Sequence, residues 1–238
     1  MVLITILMVM GMQICMLSQI KECQFLVDYI QGYYSNLFSW EELEYLINIR
    51  PLLSEKRVHL LDPQNRSFQW YTNGWIQDRN TYPPSLIKSL LDEVIIYFSD
   101  MSRVTKNINQ FASTLEDQYQ RHTDAHIYVC RNIKNEHLFG AHFDYQHNVI
   151  VQCEGKTNFK VWKKVKDHTV KKQTQLDMSD EVPILNVVME PGDAIWIPRY
   201  YPHQAISLTP RLSVSFAFQD NENAAHKESF EDRNWITL

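Results

Sequence analysis

Gly140-Ala141-His142-Phe143-Asp144, continued by Tyr145-Gln146-His147-Asn148-Val149-Ile150-Val151-Gln152-Cys153-Glu154-Gly155, joins a His-x-Asp pair to a short apolar run that ends in a turn signal. Side chains alternate between two faces along an extended segment, so His142 and Asp144 point the same way. A second imidazole from a neighbouring strand completes three ligands on one side of a metal, and His203 is the candidate. Two neutral imidazoles and one carboxylate leave open positions on ferrous iron for a co-substrate and oxygen. In a chain with nine His, a His-x-Asp pair gains its weight from the pattern around it.

That pattern is a series of short strands. Residues Ala125 to Cys130, Asn148 to Cys153, Asn158 to Val165, Ile184 to Glu190, Asp193 to Pro198, His203 to Leu208 and Arg211 to Gln219 each read as a strand. Glu154-Gly155-Lys156 and Pro191-Gly192-Asp193 are turn signals between them. Many short strands of this kind indicate an antiparallel roll or barrel. The expected fold is mainly β with N-terminal helices, a double-stranded β-helix of the jelly-roll or cupin type. A meander out and back between Asp144 and His203 would bring both to the barrel mouth.

Upstream, Ser39-Trp40-Glu41-Glu42 has the form of a capping box, and Leu43, Leu46 and Ile47 follow at helical spacing. That helix should stop before Pro51. Pro83-Pro84 opens a second helix, whose Ile87, Leu90, Leu91, Val94 and Phe98 form a core stripe. Residues 19–35 are loosely helical through Ile20, Phe25, Leu26 and Ile30. Residues 52–82, with Trp70, Tyr71, Gly74, Trp75 and Tyr82, read as short strands over the core or as a segment covering substrate. The expected division is an apolar segment at 1–18, a helical part at 19–120 packing on the barrel, a catalytic barrel at 121–220 and a tail at 221–238.

The composition, 45% hydrophobic and 12% aromatic, supplies a packed core and excludes a disordered chain. With Lys+Arg 23 against Asp+Glu 28 the net charge is -5, so no global basic field points to nucleic acid or an anionic membrane. The lysine-rich stretch 156–172 is a minor basic patch, read first as a solvated hairpin face. Cys15, Cys23, Cys130 and Cys153 have neither zinc-like nor C-x-x-C spacing, which favours a reduced, cytoplasmic protein. Met1 to Leu17 is almost wholly apolar but has no Lys or Arg before Lys21 and no small-residue cleavage site. It reads as a buried first helix or an early start, with Met8, Met10, Met12 and Met16 as later ones, rather than as a secretory signal.

The first run through Gly155-Lys156 and Phe159-Lys160-Val161-Trp162, together with Glu190-Pro191-Gly192-Asp193-Ala194-Ile195-Trp196-Ile197-Pro198, Pro202-His203 and Arg211-Leu212-Ser213-Val214-Ser215-Phe216, resembles the JmjC or cupin-like iron(II)/2-oxoglutarate oxygenases. The likeness covers roughly Ala125 to Phe218, with two blocks agreeing in order and phase. It is nearest to the ribosomal-protein hydroxylases and the asparaginyl hydroxylase of oxygen sensing. The resemblance implies Fe(II) ligation by His142, Asp144 and His203, with 2-oxoglutarate and O2 as co-substrates. It also implies that Tyr128 and Asn148 hydrogen-bond the 2-oxoglutarate.

One departure concerns the distal carboxylate of that co-substrate. The family usually sets a Lys or Arg where this chain has Thr157. Arg211 is the leading substitute, because Arg211-Leu212-Ser213 resembles the 2-oxoglutarate motif of other oxygenase branches and Arg makes two charge-assisted bonds to a carboxylate. Lys156 and Lys160 are fallback cations, with a parity that turns them outward if Thr157 faces in. A carboxylate at Asp144, rather than an empty halide position, implies hydroxylation. The expected function is therefore an Fe(II)/2-oxoglutarate dioxygenase hydroxylating a protein or peptide side chain. Alternatives are the same chemistry on a small molecule and a non-catalytic metal-binding cupin module. A zinc-dependent cupin isomerase would call for further ligands, with His137 and His147 the nearby extras. The chain ends at Leu238, without the C-terminal regions of the ribosomal-protein hydroxylases, which points away from a ribosomal substrate.

Overall fold

The computed structural model describes residues 27–54, 56–61, 67–68, 81–131, 140–163 and 176–218. Among the described residues, eleven strands fall into two sheets. The larger sheet contains β1 (Asp28–Ile30), β2 (Val58–Leu61), β3 (Ser67–Phe68), β4 (Ile95–Phe98), β5 (Asp124–Cys130), β6 (His147–Glu154), β9 (Ala194–Ile197) and β11 (Arg211–Phe218). Its spatial order is β1-β9-β6-β11-β5-β4-β2-β3. The smaller sheet orders β10 (His203–Ser207), β7 (Thr157–Val161) and β8 (Leu185–Met189) as β10-β7-β8. All named pairings are antiparallel. Each strand expected from Ala125 onward is present, and the two facing sheets form the expected roll.

Strand parity divides the larger sheet into two environments. Ile127, Val129, Val149, Val151, Trp196, Val214 and Phe216 bury one face against three helices. These are α1 (Trp40–Ile47), α2 (Pro84–Leu90) and α3 (Lys106–Tyr119). On the opposite face, Ile195 and Ile197 meet Phe159, Val161, Met189 and Ala205 of the smaller sheet. Asn148, Gln152, Ser213, Ser215 and Arg211 share that inner face by parity and are buried.

The capping box forms as expected: Ser39 accepts from the Glu42 N–H, and the Glu42 carboxylate accepts from the Ser39 N–H. The second helix is shorter than its stripe predicts. α2 ends at Leu90, the chain turns, and Ile95–Phe98 is strand β4, paired with β2 and β5. The run Ile95-Ile96-Tyr97-Phe98 suits a pleated sheet, and apolar spacing in a fully buried strand cannot be told from a helix by period. Asp28–Ile30, within the loosely helical stretch, is edge strand β1 on β9. A distant carboxylate holds it there: Asp193 accepts from the Tyr29 hydroxyl at 2.7 Å, the Gly32 N–H at 2.8 Å and the Glu190 N–H at 2.8 Å.

α3 is absent from the sequence expectation, although Thr105 caps it by accepting from the Ile108 N–H at 3.2 Å. The part before the barrel is thus not purely helical, since β1 to β4 extend the larger sheet. The apolar segment 1–18 and the tail 221–238 lie outside the described residues, as do most of residues 62–80. No helix among the described residues is long and apolar enough to cross a membrane.

Candidate metal centre

His142 and His203 form an isolated antiparallel bridge. The His142 N–H donates to the His203 carbonyl at 3.1 Å, and the His203 N–H returns to the His142 carbonyl at 2.7 Å. Directly opposed residues place their side chains on one side of the ribbon, and these two rings lie 4.4 Å apart. Asp144, two residues on, returns to the same face. Its carbonyl accepts from the Tyr200 N–H at 2.8 Å. Tyr200 makes that contact at φ 67, a left-handed conformation uncommon for a bulky residue. Its ring meets Tyr145 edge-on at 5.9 Å, tying together the two loops that carry the triad. Donor atoms of His142, Asp144 and His203 all lie within 4.8 Å of one another.

The hydrogen bonds of the rings fix their chemistry. His142 Nδ1 is 3.0 Å from the Gly140 carbonyl, and His203 Nδ1 is 3.0 Å from the Tyr201 carbonyl. A carbonyl oxygen only accepts, so each Nδ1 carries a proton and Nε2 is the ring nitrogen available to a metal. His203 Nε2 lies 3.5 Å from Asp144 Oδ2, and a donor set of two imidazole nitrogens and one carboxylate fits a divalent metal.

Deeper polar residues, Asn148, Gln152, Ser213, Ser215 and Arg211, form a buried polar strip on the inner face of the larger sheet, called the slot below. Asn148 Nδ2 donates to Asp144 Oδ2 at 3.0 Å, while the Ser215 hydroxyl donates to Asn148 Oδ1 at 3.2 Å. Asn148, expected against the co-substrate, thus lies against a metal-ligand candidate. Tyr128 sits on β5 opposite Ser213, with its ring 5.4 Å from that of Tyr97. Burial, and after it the Asp144 carboxylate, pushes the Tyr128 phenol well above its usual value, while Arg211 opposes them. Tyr128 is therefore within electrostatic reach of both the triad and the arginine.

Arg211 is 3% exposed, and its Nε has no hydrogen-bond partner among the described residues. Burial pulls its guanidinium below the usual value. A buried cation is costly unless it is paired, which makes this end of the slot suited to an anionic group.

The fully buried Thr157 hydroxyl donates to Gln152 Oε1 at 2.9 Å. Gln152 Nε2 donates in turn to the Glu154 carbonyl at 2.7 Å, holding the β6–β7 turn. A neutral pair thus occupies the position at which the resemblance implies a cation. Lys156 does not reach the slot, contrary to its place among the co-substrate candidates. Its Nζ lies 2.6 Å from Glu190 on the exposed side, because it stands one residue out of phase with the inward Thr157. Lys160 shares a strand face with Asn158, opposite to Thr157. Of the basic stretch 156–172, residues 164–172 lie outside the described residues.

Sequence reading missed Gln152 and the role of Ser215. Gln152 stands four residues after Asn148 on one strand, and that parity was the available signal. Nothing local marked Gly140 and Tyr201 as the carbonyls that set the imidazole tautomers.

Comparison with known proteins adds the lineage. Ribosomal oxygenase 1 of Danio rerio is 26% identical over 193 residues, covering 76% of this chain and 33% of that protein. A bifunctional lysine-specific demethylase and histidyl-hydroxylase of Dictyostelium discoideum is 24% identical over 178 residues, covering 73% of this chain and 34% of its own length. The chain thus spans about a third of the curated relatives it matches. The fold is shared with Escherichia coli YcfD, at TM-score 0.61 and 18% identity over 90% of this chain and 56% of that one. The YcfD ribosomal oxygenase in complex with cobalt and 2-oxoglutarate gives TM-score 0.56 at 15% identity, over 90% of this chain and 54% of that one. The JmjC domain profile matches residues 98–226, more than half of the sequence, and on the strength of that match the chain belongs to the JmjC domain family.

Proposed function

We propose that this protein is an Fe(II)- and 2-oxoglutarate-dependent dioxygenase that uses O2 to hydroxylate a protein or peptide side chain, with residues 121–220 as its catalytic barrel. The observation that carries the reading is the convergence of two imidazoles with fixed tautomers on Asp144, at the mouth of a slot whose far end holds the buried Arg211. When bound, the iron and 2-oxoglutarate supply oxidative decarboxylation of the co-substrate coupled to oxidation of a substrate C–H bond.

The chain's own residues bind and orient. His142, Asp144 and His203 would hold the metal through two imidazole nitrogens and one carboxylate. Arg211 pairs with the distal carboxylate, and its planar guanidinium suits two parallel bonds. Tyr128, whose phenol is pushed well above its usual value, keeps its proton near neutral pH and donates a hydrogen bond to the co-substrate. Thr157 and Gln152, already bonded to each other, form a neutral wall. Phe159, Ile195 and Ile197 line the adjoining apolar side and exclude water.

The relatives named as ribosomal oxygenases and as a histidyl-hydroxylase support a protein substrate over a small molecule, and they keep a ribosomal protein within that class. The four cysteines, with neither zinc-like nor C-x-x-C spacing, support a reducing, cytoplasmic setting.

The test is an anaerobic titration of metal-free protein with iron(II) and 2-oxoglutarate, read by the visible metal-to-co-substrate charge-transfer band. The wild type should saturate, and Asp144→Ala should lose or alter the band. Truncating one partner of a buried charge pair costs about 2–5 kcal/mol, so Arg211→Ala should need at least about thirtyfold more 2-oxoglutarate. Tight metal binding with no band would replace this reading with a non-catalytic cupin.

A further inference from the structure

We infer that Asn148, braced by Ser215, is a positioning residue for the Asp144 carboxylate and governs metal affinity rather than co-substrate affinity. The inference rests on the proposal that the triad holds a metal. An ionised carboxylate only accepts hydrogen bonds, so the part of the Asn148 amide facing Asp144 Oδ2 at 3.0 Å must be Nδ2. Oδ1 is thereby turned toward Ser215, whose hydroxyl donates to it at 3.2 Å. The chain of donors has one direction, from Ser215 through Asn148 to Asp144, and both of its inner members are 5% exposed.

The supports of the two ends differ. Asp144 belongs to the irregular segment before β6, whereas Asn148 lies on β6 between β9 and β11, opposite Ile197 and Ala217. Ser215 lies on β11, itself paired with both β5 and β6. The amide therefore carries the rigidity of the sheet interior to a ligand on a loop. Partners that orient metal ligands matter in this way, and their loss typically costs about 10–100-fold in metal affinity. The same contacts commit Asn148 Oδ1 and one amide hydrogen to Ser215 and Asp144, away from the 2-oxoglutarate end of the slot.

The experiment separates metal affinity from co-substrate affinity. Cobalt(II) is titrated into metal-free wild type and into the Asn148→Ala, Ser215→Ala and Ser215→Thr variants, following the visible ligand-field bands. 2-Oxoglutarate affinity is then measured at saturating cobalt(II). Asn148→Ala should bind cobalt(II) about 10–100-fold more weakly, with altered bands, while its 2-oxoglutarate affinity stays close to wild type. Ser215→Ala should fall between the two, and Ser215→Thr, which keeps the hydroxyl, should recover. Unchanged metal affinity in Asn148→Ala, with or without weaker 2-oxoglutarate binding, overturns the inference. If Asn148→Ala does not fold, equal cobalt(II) affinities for Ser215→Ala and Ser215→Thr overturn it instead. A wild type that binds no cobalt(II) defeats the metal-site proposal itself, which is a separate outcome.

Discussion

Gly155 shows how one missing side chain serves the site. It closes the turn between β6 and β7 at φ 71, and a Cβ there would stand 1.9 Å from the Pro210 carbonyl oxygen. Backbone must move to admit even a methyl group, and the next residue after Pro210 is Arg211. Gly155→Ala should therefore destabilise the protein by about 3 kcal/mol or more, measured by urea unfolding, and the folded fraction should need more 2-oxoglutarate to saturate. Gly32 is a control: its φ is 60, but nothing lies within 4 Å of a Cβ placed there. Gly32→Ala should cost about 1–2 kcal/mol, the left-handed penalty alone, and leave co-substrate affinity unchanged.

The end of α3 is joined to the start of β5 by a single carboxylate. Glu116 accepts from the Thr123 N–H at 3.1 Å, pairs with Arg103 and meets His122 Nδ1 at 3.1 Å. Burial alone would raise the Glu116 carboxyl, yet the Thr123 N–H and the Arg103 guanidinium together bring it below its ordinary value of 4.5. A folded value below the unfolded one stabilises the protein fully above that unfolded value, and the contribution is lost as pH falls through the folded value. Glu116→Gln should cost about 1 kcal/mol at neutral pH, a figure discounted for the exposed arginine partner. Urea unfolding repeated at acid pH should show the gap to wild type closing. α1 is more legible than α3, because Ser39 and Glu42 cap reciprocally whereas Thr105 makes one bond, to the Ile108 N–H. The Glu116 clasp joins elements whose proximity follows from sheet order.

The larger sheet separates stability from chemistry through its two faces. On β11, Leu212, Val214, Phe216 and Phe218 turn to the helices, while Arg211, Ser213 and Ser215 turn to the slot. Phe216 is fully buried with its ring 4.4 Å from Phe111 of α3. Phe216→Ala should cost about 3–5 kcal/mol, seen as a lower urea midpoint, whereas cobalt(II) affinity per folded molecule should stay near wild type. A large loss of metal affinity at unchanged stability would mean that the two faces are coupled. The helices also show why Pro84 to Phe98 misleads as a pattern. Residues on α2 and β4 reach the same core from two kinds of element, so one apolar stripe spans a helix, a turn and a strand.

Local chemistry reaches as far as alternation, capping and turns. The strand series from Ala125, the Ser39 cap, the shared direction of His142 and Asp144 and the outward parity of Lys156 and Lys160 all follow from neighbours within a few residues, because backbone geometry repeats over that distance. What sequence neighbours could not decide depended on residues brought together from afar. The pairing of His142 with His203, the hold of Asp193 on β1 and the Ser215–Asn148–Asp144 chain arise when strands from different parts of the chain close on one another. Whether Asn148 faces a metal ligand or a co-substrate is likewise set by the register of β6 against β11. Parity along one strand gives the face a side chain points to, and a hydrogen-bond partner is fixed only once the opposing strand is in place.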